Sequence, residues 1–493
     1  MSTATSTAYR DRSAPAAVED IELKAAGSGA VSPAPSLHSA GSRAASPSPS
    51  ATPTAGGLDE RAFRIRQILI CLSSFTLVFT TCGAGFSFGV YQELYQSMSV
   101  EPNTPFTGAS VAQIDLIGTL GVAFMTIVSP FAIAWTKRFS PRTIVYCGGL
   151  LFFLASLAAS FCQSTWQFML TQGFLTGIGT SFSYIPAVTV APTWYGARRG
   201  LALGIITSGS GWGGLVWAPA IEAMNAHVGF RNTLRISGAV GAALVFLSGA
   251  VVDWDPVNKA RVQAETDRLK SKSRSWIHSL FAVPLVDWKI ARTRQFVANL
   301  SANAMQAAAY CTPLFFFSAY AKTLGYSSKQ GAMFIAVNNV ASGVGRIGIG
   351  VMADRFGHAN MLLLCTAISA VVSVGLWLPS TLTGVTHTSK GLFIAYSMLY
   401  GPTASAYVSL FPPVAIEMFG LHNFASVNGF LYMVRGLFIL TGTPIAGTLL
   451  PHAAASSMAL PKQYLGMTAF VAALLFVATA GVLWVRLEVV KKA

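Results

Sequence analysis

Two arginines stand inside long apolar runs of this 493-residue chain: Arg346 in a run near 329–352, and Arg435 in one near 425–449. A charge at the centre of an apolar span costs roughly 3 kcal/mol or more, so it normally faces a polar cavity. A guanidinium is planar, always charged and shaped to hold a carboxylate through two parallel hydrogen bonds. The chemistry these residues suggest is capture of a small organic anion. Arg346 lies six residues from the end of its run, where so long a side chain could also snorkel toward lipid headgroups. Arg435 is mid-span and could instead pair with a carboxylate for structure, although Glu417, at a helix end, is one of few nearby.

Other polar residues in the runs could complete such a site. Tyr91 and Gln92 close the first run, and Asn338 and Asn339 precede Arg346 by two turns. The asparagines could orient substrate oxygens or bond helices to each other. Glu93 and Asp115 are the acids placed to take up protons from outside and so are the coupling candidates; both could equally be solvated. The seven histidines are scattered, and no nucleophile, base and acid share an aqueous segment. No catalytic set, metal site or cofactor motif is indicated, and the chain does not read as an enzyme.

The elements that must position these residues follow from composition. Hydrophobic residues make up 53% of the chain and charged ones 10%, a balance hardly tolerated in a soluble protein of this length. From Ile68 onward there are twelve apolar runs of about the ~20 residues a bilayer demands. They lie near 68–92, 112–136, 142–163, 167–190, 200–221, 235–253, 295–320, 329–352, 359–379, 391–413, 425–449 and 466–486. Six fall on each side of a polar stretch, which divides the chain into a bundle over 64–253, a central loop over 254–294, a bundle over 295–487 and a short end, 488–493. Asn258 to Ser273 has helical composition suited to a membrane surface. Phe315, Phe316, Phe317 and Tyr320 read as packing residues.

Residues 1–63 are rich in Ser, Ala, Pro, Thr and Gly and cannot offset the entropy of ordering, so a disordered tail is expected. The tail has no apolar segment of the secretory-signal kind, and the first span would serve as its own anchor. Its Ser32-Pro33, Ser46-Pro47 and Ser48-Pro49 pairs could be phosphorylated, or belong to an unregulated solvated tail. The six cysteines all fall in apolar runs without a CxxC pair, which points neither to disulfides nor to zinc.

The net charge of +15 is carried in short clusters between runs. That pattern orients a membrane protein and gives no reason to expect a nucleic acid partner. Lys137, Arg138 and Arg142, then Arg198 and Arg199, then nine Lys or Arg over 254–294, then Arg355, all fall in alternate connections. Those connections, and with them both termini, are expected on the cytoplasmic side. The plasma membrane is the first choice and an organelle membrane the second. Nothing specifies an oligomeric state.

The stretch 190–215, VAPTWYGARRGLALGIITSGSGWGGL, turns at Arg198 and Arg199 and enters a run with Gly209 and Gly211 at its centre. Glycine costs about 1 kcal/mol per interior position of a soluble helix. In a membrane, small residues let helix backbones approach closely. A phosphate-binding loop is excluded by the lack of a following GKS or GKT.

Twelve spans in two halves joined by a basic loop resemble the major facilitator superfamily. Residues 345–357, Gly-Arg-Ile-Gly-Ile-Gly-Val-Met-Ala-Asp-Arg-Phe-Gly, are similar to its loop motif, with Asp354 and Arg355 set to brace a neighbouring helix. The first half, Ala134 to Arg142, keeps the basic residues and lacks the acid. The fold implied is an all-α polytopic membrane protein with twelve transmembrane helices in two pseudo-symmetric six-helix bundles. Gly85 to Tyr95, Trp194 to Gly204 with Ser208 to Gly211, Gly345-Arg346 with Asp354-Arg355, and Pro444 to Gly447 resemble the monocarboxylate porter branch, especially fungal members.

That resemblance implies a secondary transporter, proton- or cation-linked, that moves a small organic anion by alternating access. It also implies a lysine late in the first helix and an aspartate one turn before the arginine of the eighth. Gln92 and Ser342 stand in those places, whereas Arg346 is kept. The lost groups favour the rival reading, an exporter of a fungal secondary metabolite or a carrier of a bulkier solute such as a vitamin. A transport-dead nutrient sensor would carry a long signalling tail, and a membrane enzyme would carry clustered His or Asp in its spans.

Overall fold

The computed structural model describes residues 60–195, 198–272, 286–450 and 460–492. The expected N-terminal tail with its Ser-Pro pairs, and part of the central loop, lie outside them. Among the described residues, twelve long helical stretches follow the twelve apolar runs. In the first half α1 is Glu60–Phe86, continued after a break by Phe88–Ser99. Helix α2 joins Val111–Ile127 to Ser129–Arg138, and α3 is Pro141–Ala159. Helix α4 begins at Thr165, contains a π-helical turn at Met169–Leu175 and continues as Thr176–Val190. Helices α5 and α6 are Arg199–Val228 and Phe230–Gly249.

In the second half α7 is Arg294–Thr323, α8 is Ser328–Phe356, and α9 runs from His358 to Leu382 through a π-helical turn at Ser373–Trp377. Helices α10 (387–419) and α11 (421–448) are separated at Gly420, whose φ of 74° breaks an otherwise continuous helix. Only glycine adopts that conformation without strain. Helix α12 is Leu465–Lys492. A linker helix, Pro256–Lys272, covers the polar segment expected from Asn258 onward.

Among the described residues, eight of these helices are long and apolar enough to cross a membrane, nine if bent α2 counts as one span. The remaining three are α6, α7 and α10. Helix α6 opens on the half-buried Arg231 and Arg235 and the exposed Asn232, and α7 carries Asn299, Asn303 and Gln306, which are buried. In α7 that polarity is turned toward protein, which a hydropathy sum cannot distinguish from polarity turned toward lipid.

Two helix pairs make the closest approach between the halves. Helix α5 packs against α1 within its half and against α8 across the interface, while α11 packs across it on α2. The small residues explain the approach. A Cβ on Gly204 would lie 2.6 Å from the Arg346 carbonyl oxygen on α8, and one on Gly209 would lie 2.6 Å from the Phe75 carbonyl oxygen on α1. Gly211 meets the Asn339 backbone on α8 even more closely. On α11, Gly429 and Gly436 do the same against α2, where Gly436 would place a Cβ 2.5 Å from the Ala123 carbonyl oxygen. Gly204 and Gly211, like Gly429 and Gly436, stand two turns apart, so both interfaces use one device.

The face that carries the basic connections is tied down by charge. Asp253 takes Lys259 at 3.0 Å, Arg142 at 3.3 Å and Arg66 at 3.7 Å. This joins the starts of α1, α3 and the linker helix. Phe315, Phe316, Phe317 and Tyr320 are buried in the core of the second half, Phe317 edge-on to Phe393 and Tyr396.

Candidate functional site

Helices α7, α8 and α11 bring the two arginines to one cavity between the halves. Arg346 and Arg435 are 3% and 2% exposed and line a space of about 30 Å³ with Tyr184, Tyr310, Tyr432 and Phe86. Arg346 is fixed by the other half. One terminal nitrogen donates to the Thr207 carbonyl and the Ser210 hydroxyl of α5, each at 2.6 Å, and the other to the Tyr310 hydroxyl at 3.3 Å.

Arg435 is fixed by two carboxamides on α7. Asn303 donates its amide to the Leu431 carbonyl at 2.7 Å, and Gln306 donates its own to the Ala404 carbonyl at 3.1 Å. Those bonds turn both side-chain oxygens toward Arg435, which donates to Asn303 at 3.3 Å and Gln306 at 2.7 Å. The Tyr310 and Tyr407 rings lie 5.5 and 5.7 Å from its guanidinium carbon, a cation–π arrangement that favours a buried cation. Its second terminal nitrogen has no hydrogen-bond partner among the described residues, and neither has Nε of Arg346.

The polar groups around both guanidiniums are neutral. No described carboxylate forms an ion pair with either. At the place where an acid would face Arg346 one turn away stands Ser342, which lines the adjoining cavity. Buried charges are normally paired. Both cations line one cavity without a paired carboxylate among the described residues, and Arg346, 3% exposed, does not snorkel to the surface.

The other candidates divide. Asn338 and Asn339 line a small neighbouring space with Arg346 and Tyr310. Asn339 also fills the place a Cβ on Gly214 would take, its amide nitrogen 2.6 Å from that position. Tyr91 is buried but lies on a third cavity, inside the first half. Gln92 is buried and borders none of the three. Asp115 is 5% exposed, with the Thr119 hydroxyl 3.4 Å away. Glu93 is half-exposed and accepts from Lys322 at 3.1 Å, a bridge between the halves on the face away from the basic connections.

On the basic face the bridge is different. The Asp354 carboxylate accepts from the backbone N–H groups of Gly200 at 3.0 Å and Leu201 at 2.9 Å. It thereby caps the first turn of α5, where unsatisfied donors and the helix dipole favour negative charge. His358 stands between Asp354 at 3.2 Å and Glu417 at 2.6 Å. Arg199 turns back to donate to the Tyr195 carbonyl at 2.9 Å, Arg198 is exposed, and Arg355 is exposed at the end of α8. Asp354→Asn removes the charge from that cap, an effect of about 1–2 kcal/mol. Amide exchange at Gly200 and Leu201 is expected to quicken roughly tenfold. Unchanged exchange there would show that the cap does not hold this face closed.

Sequence reading alone misses Tyr310, Asn303, Gln306, Tyr184 and Tyr432. Tyr184 and Tyr432 meet across the halves with hydroxyls 3.3 Å apart.

Comparison with known proteins bears on this arrangement. The chain is 27% identical over 443 residues to the agnestins efflux protein AgnL12 of Paecilomyces divaricatus, covering 89% of this chain and 92% of that one. It is 25% identical to the fujikurins efflux protein of Gibberella fujikuroi, covering 78% and 76% respectively. It is 24% identical to the MFS transporter asaE of Aspergillus flavus, covering 78% and 80%. Two half-chains of helices meeting at a central cavity, latched on both faces, is a transporter's architecture, and the Major Facilitator Superfamily model matches residues 68–443; this chain, an integral membrane protein, belongs to that superfamily.

Proposed function

We propose that the protein exports an acidic secondary metabolite of a fungus by alternating access. The observation that carries the reading is the pair of buried, uncompensated guanidiniums on one cavity between the halves. Such a site takes an anion in preference to a neutral or cationic solute. Export is favoured over carboxylate uptake by the relatives, two of which are named for efflux of a fungal product. The similarity to monocarboxylate porters then reflects a shared handling of the acid group. The groups that such porters carry for proton handling are replaced by Gln92 and Ser342, which makes uptake of lactate-like acids the weaker reading.

The bundles over 64–253 and 295–487 rock about the arginines. The basic connections and both termini face the cytoplasm, and the plasma membrane is the site of action. Asp354 latches the cytoplasmic face and the Glu93–Lys322 pair the outer one. Asp115, a buried acid on α2, is the stronger candidate for coupling; Glu93 is engaged as a latch.

The test is a deletion strain of the source fungus, with acidic metabolites profiled in cells and medium. Intracellular retention of at least one organic acid by several-fold, reversed by the intact gene and not by Arg346→Gln, is the expected result. Unchanged distribution, together with gradient-driven uptake of small carboxylates into vesicles, would replace export with porter activity.

A further inference from the structure

We propose that the first bundle contains an apolar subsite that receives the hydrocarbon body of the substrate, whose acid group lies on Arg346 and Arg435. The transported class is thus an amphipathic organic acid with a bulky, mostly apolar scaffold. The proposal rests on the anion reading above and adds what the rest of the molecule must be.

The subsite is a cavity of about 90 Å³ whose wall is drawn from all six helices α1–α6. Protein interiors are packed with few voids larger than a water molecule, so a space of this size inside one bundle calls for an occupant. No charged side chain lines it; its polar groups are hydroxyls, such as Tyr91 and Ser237, one carboxamide, Gln172, and a thiol. A charged or sugar-like guest would lose hydration there without compensation, whereas an aromatic or aliphatic body with a few hydroxyl or carbonyl groups would not.

The cavity adjoins the space at the arginines. Cys82, Phe86, Val122 and Met125 line both spaces, and Phe86 also borders the one between Arg346 and the asparagines. Helix α1 breaks at this junction, between Phe86 and Phe88, which is where discontinuous spans serve binding sites. Two glycines keep the wall back. A Cβ on Gly85 would meet nothing within 4 Å, and one on Gly121 only carbonyl oxygens at 3.8 and 3.9 Å. Across the cavity, the π-helical turn of α4 carries Gln172 into the wall. Such turns recur at functional sites.

The experiment uses the full-length protein in phosphatidylcholine nanodiscs and three probes: benzoate, 1-pyrenebutyrate and the neutral 1-pyrenebutanol. Binding is read from pyrene fluorescence, with benzoate as competitor, so partition into lipid is common to every variant. In the wild type 1-pyrenebutyrate is expected to bind at least about tenfold tighter than benzoate, because its extra apolar area is buried. Gly85→Leu, or Gly121→Leu should the first fold poorly, brings that ratio to within about twofold. Arg435→Gln weakens both acids. Equal affinity for the two acids in the wild type overturns the subsite, as does a ratio untouched by folded Gly85→Leu and Gly121→Leu. Pyrenebutanol binding as tightly as the acid, with no effect of Arg435→Gln, overturns instead the anion reading on which it rests.

Discussion

Arg435→Gln is expected to abolish transport, by about a hundredfold or more, while leaving the folded protein as heat-stable as the wild type or more so. The two effects separate because they arise from different contacts. Toward a substrate acid, the guanidinium offers the terminal nitrogen that no described residue engages. A charge-assisted hydrogen bond of that kind is worth about 1.5–3 kcal/mol, and the full charge adds to it. Loss of both corresponds to roughly two powers of ten in affinity.

Toward the fold, the same guanidinium is 2% exposed and supported by neutral oxygens of Asn303 and Gln306. An unpaired buried cation is a burden on stability, and a glutamine amide can still donate to one of those oxygens. Arg435→Lys keeps the charge and loses the planar fork, so intermediate activity is expected of it. The measurement is substrate efflux from loaded proteoliposomes beside a thermal melt in the same lipid. A lowered melting temperature in Arg435→Gln, with transport reduced only in proportion to folded protein, would make the residue structural.

The two arginines were legible because a charge in an apolar run is an anomaly, and an anomaly needs a cavity. The helices were legible as well: the run 142–163 is Pro141–Ala159 and the run 200–221 is Arg199–Val228. The arginines' supports were not read from single positions. Asn299 is fully buried against Met418. Asn299, Asn303, Gln306 and Tyr310 are spaced by four, three and four residues, which sets them on one face of α7. That stripe is the signal for the site's second wall. Tyr184 and Tyr432 gave no such sign, since a tyrosine in a membrane helix is ordinary and only its partner across the halves makes it notable. The first-bundle cavity is harder still. It is made of side chains that stop short on six helices, and no local pattern records what six separate segments leave out.

Gly213→Ala is expected to remove most of the correctly folded protein, although a single methyl group is added. Alanine is the better helix former by about 1 kcal/mol, so propensity alone predicts the opposite sign. Position decides. Gly213 faces α1, where a Cβ would overlap the Phe79 carbonyl oxygen and lie 2.8 Å from the Cα of Gly83. Gly83 in turn would place a Cβ 2.5 Å from the Cα of Gly213. Backbone meets backbone, and neither side can yield by rotating a side chain.

Overpacking of an ordinary core costs typically 1–3 kcal/mol because neighbours shift. Here α1 and α5 would have to separate along their length, and α5 is the helix that carries Thr207 and Ser210 to Arg346. The control is Gly121→Ala, whose new methyl group would find its nearest atom at 3.8 Å. It gains propensity without a clash and should fold at least as well as the wild type. Size-exclusion profiles and thermal melts of the two variants, expressed side by side, settle the point. If Gly213→Ala were as monodisperse and as stable as Gly121→Ala, the close approach of α1 and α5 would not be a determinant of this fold.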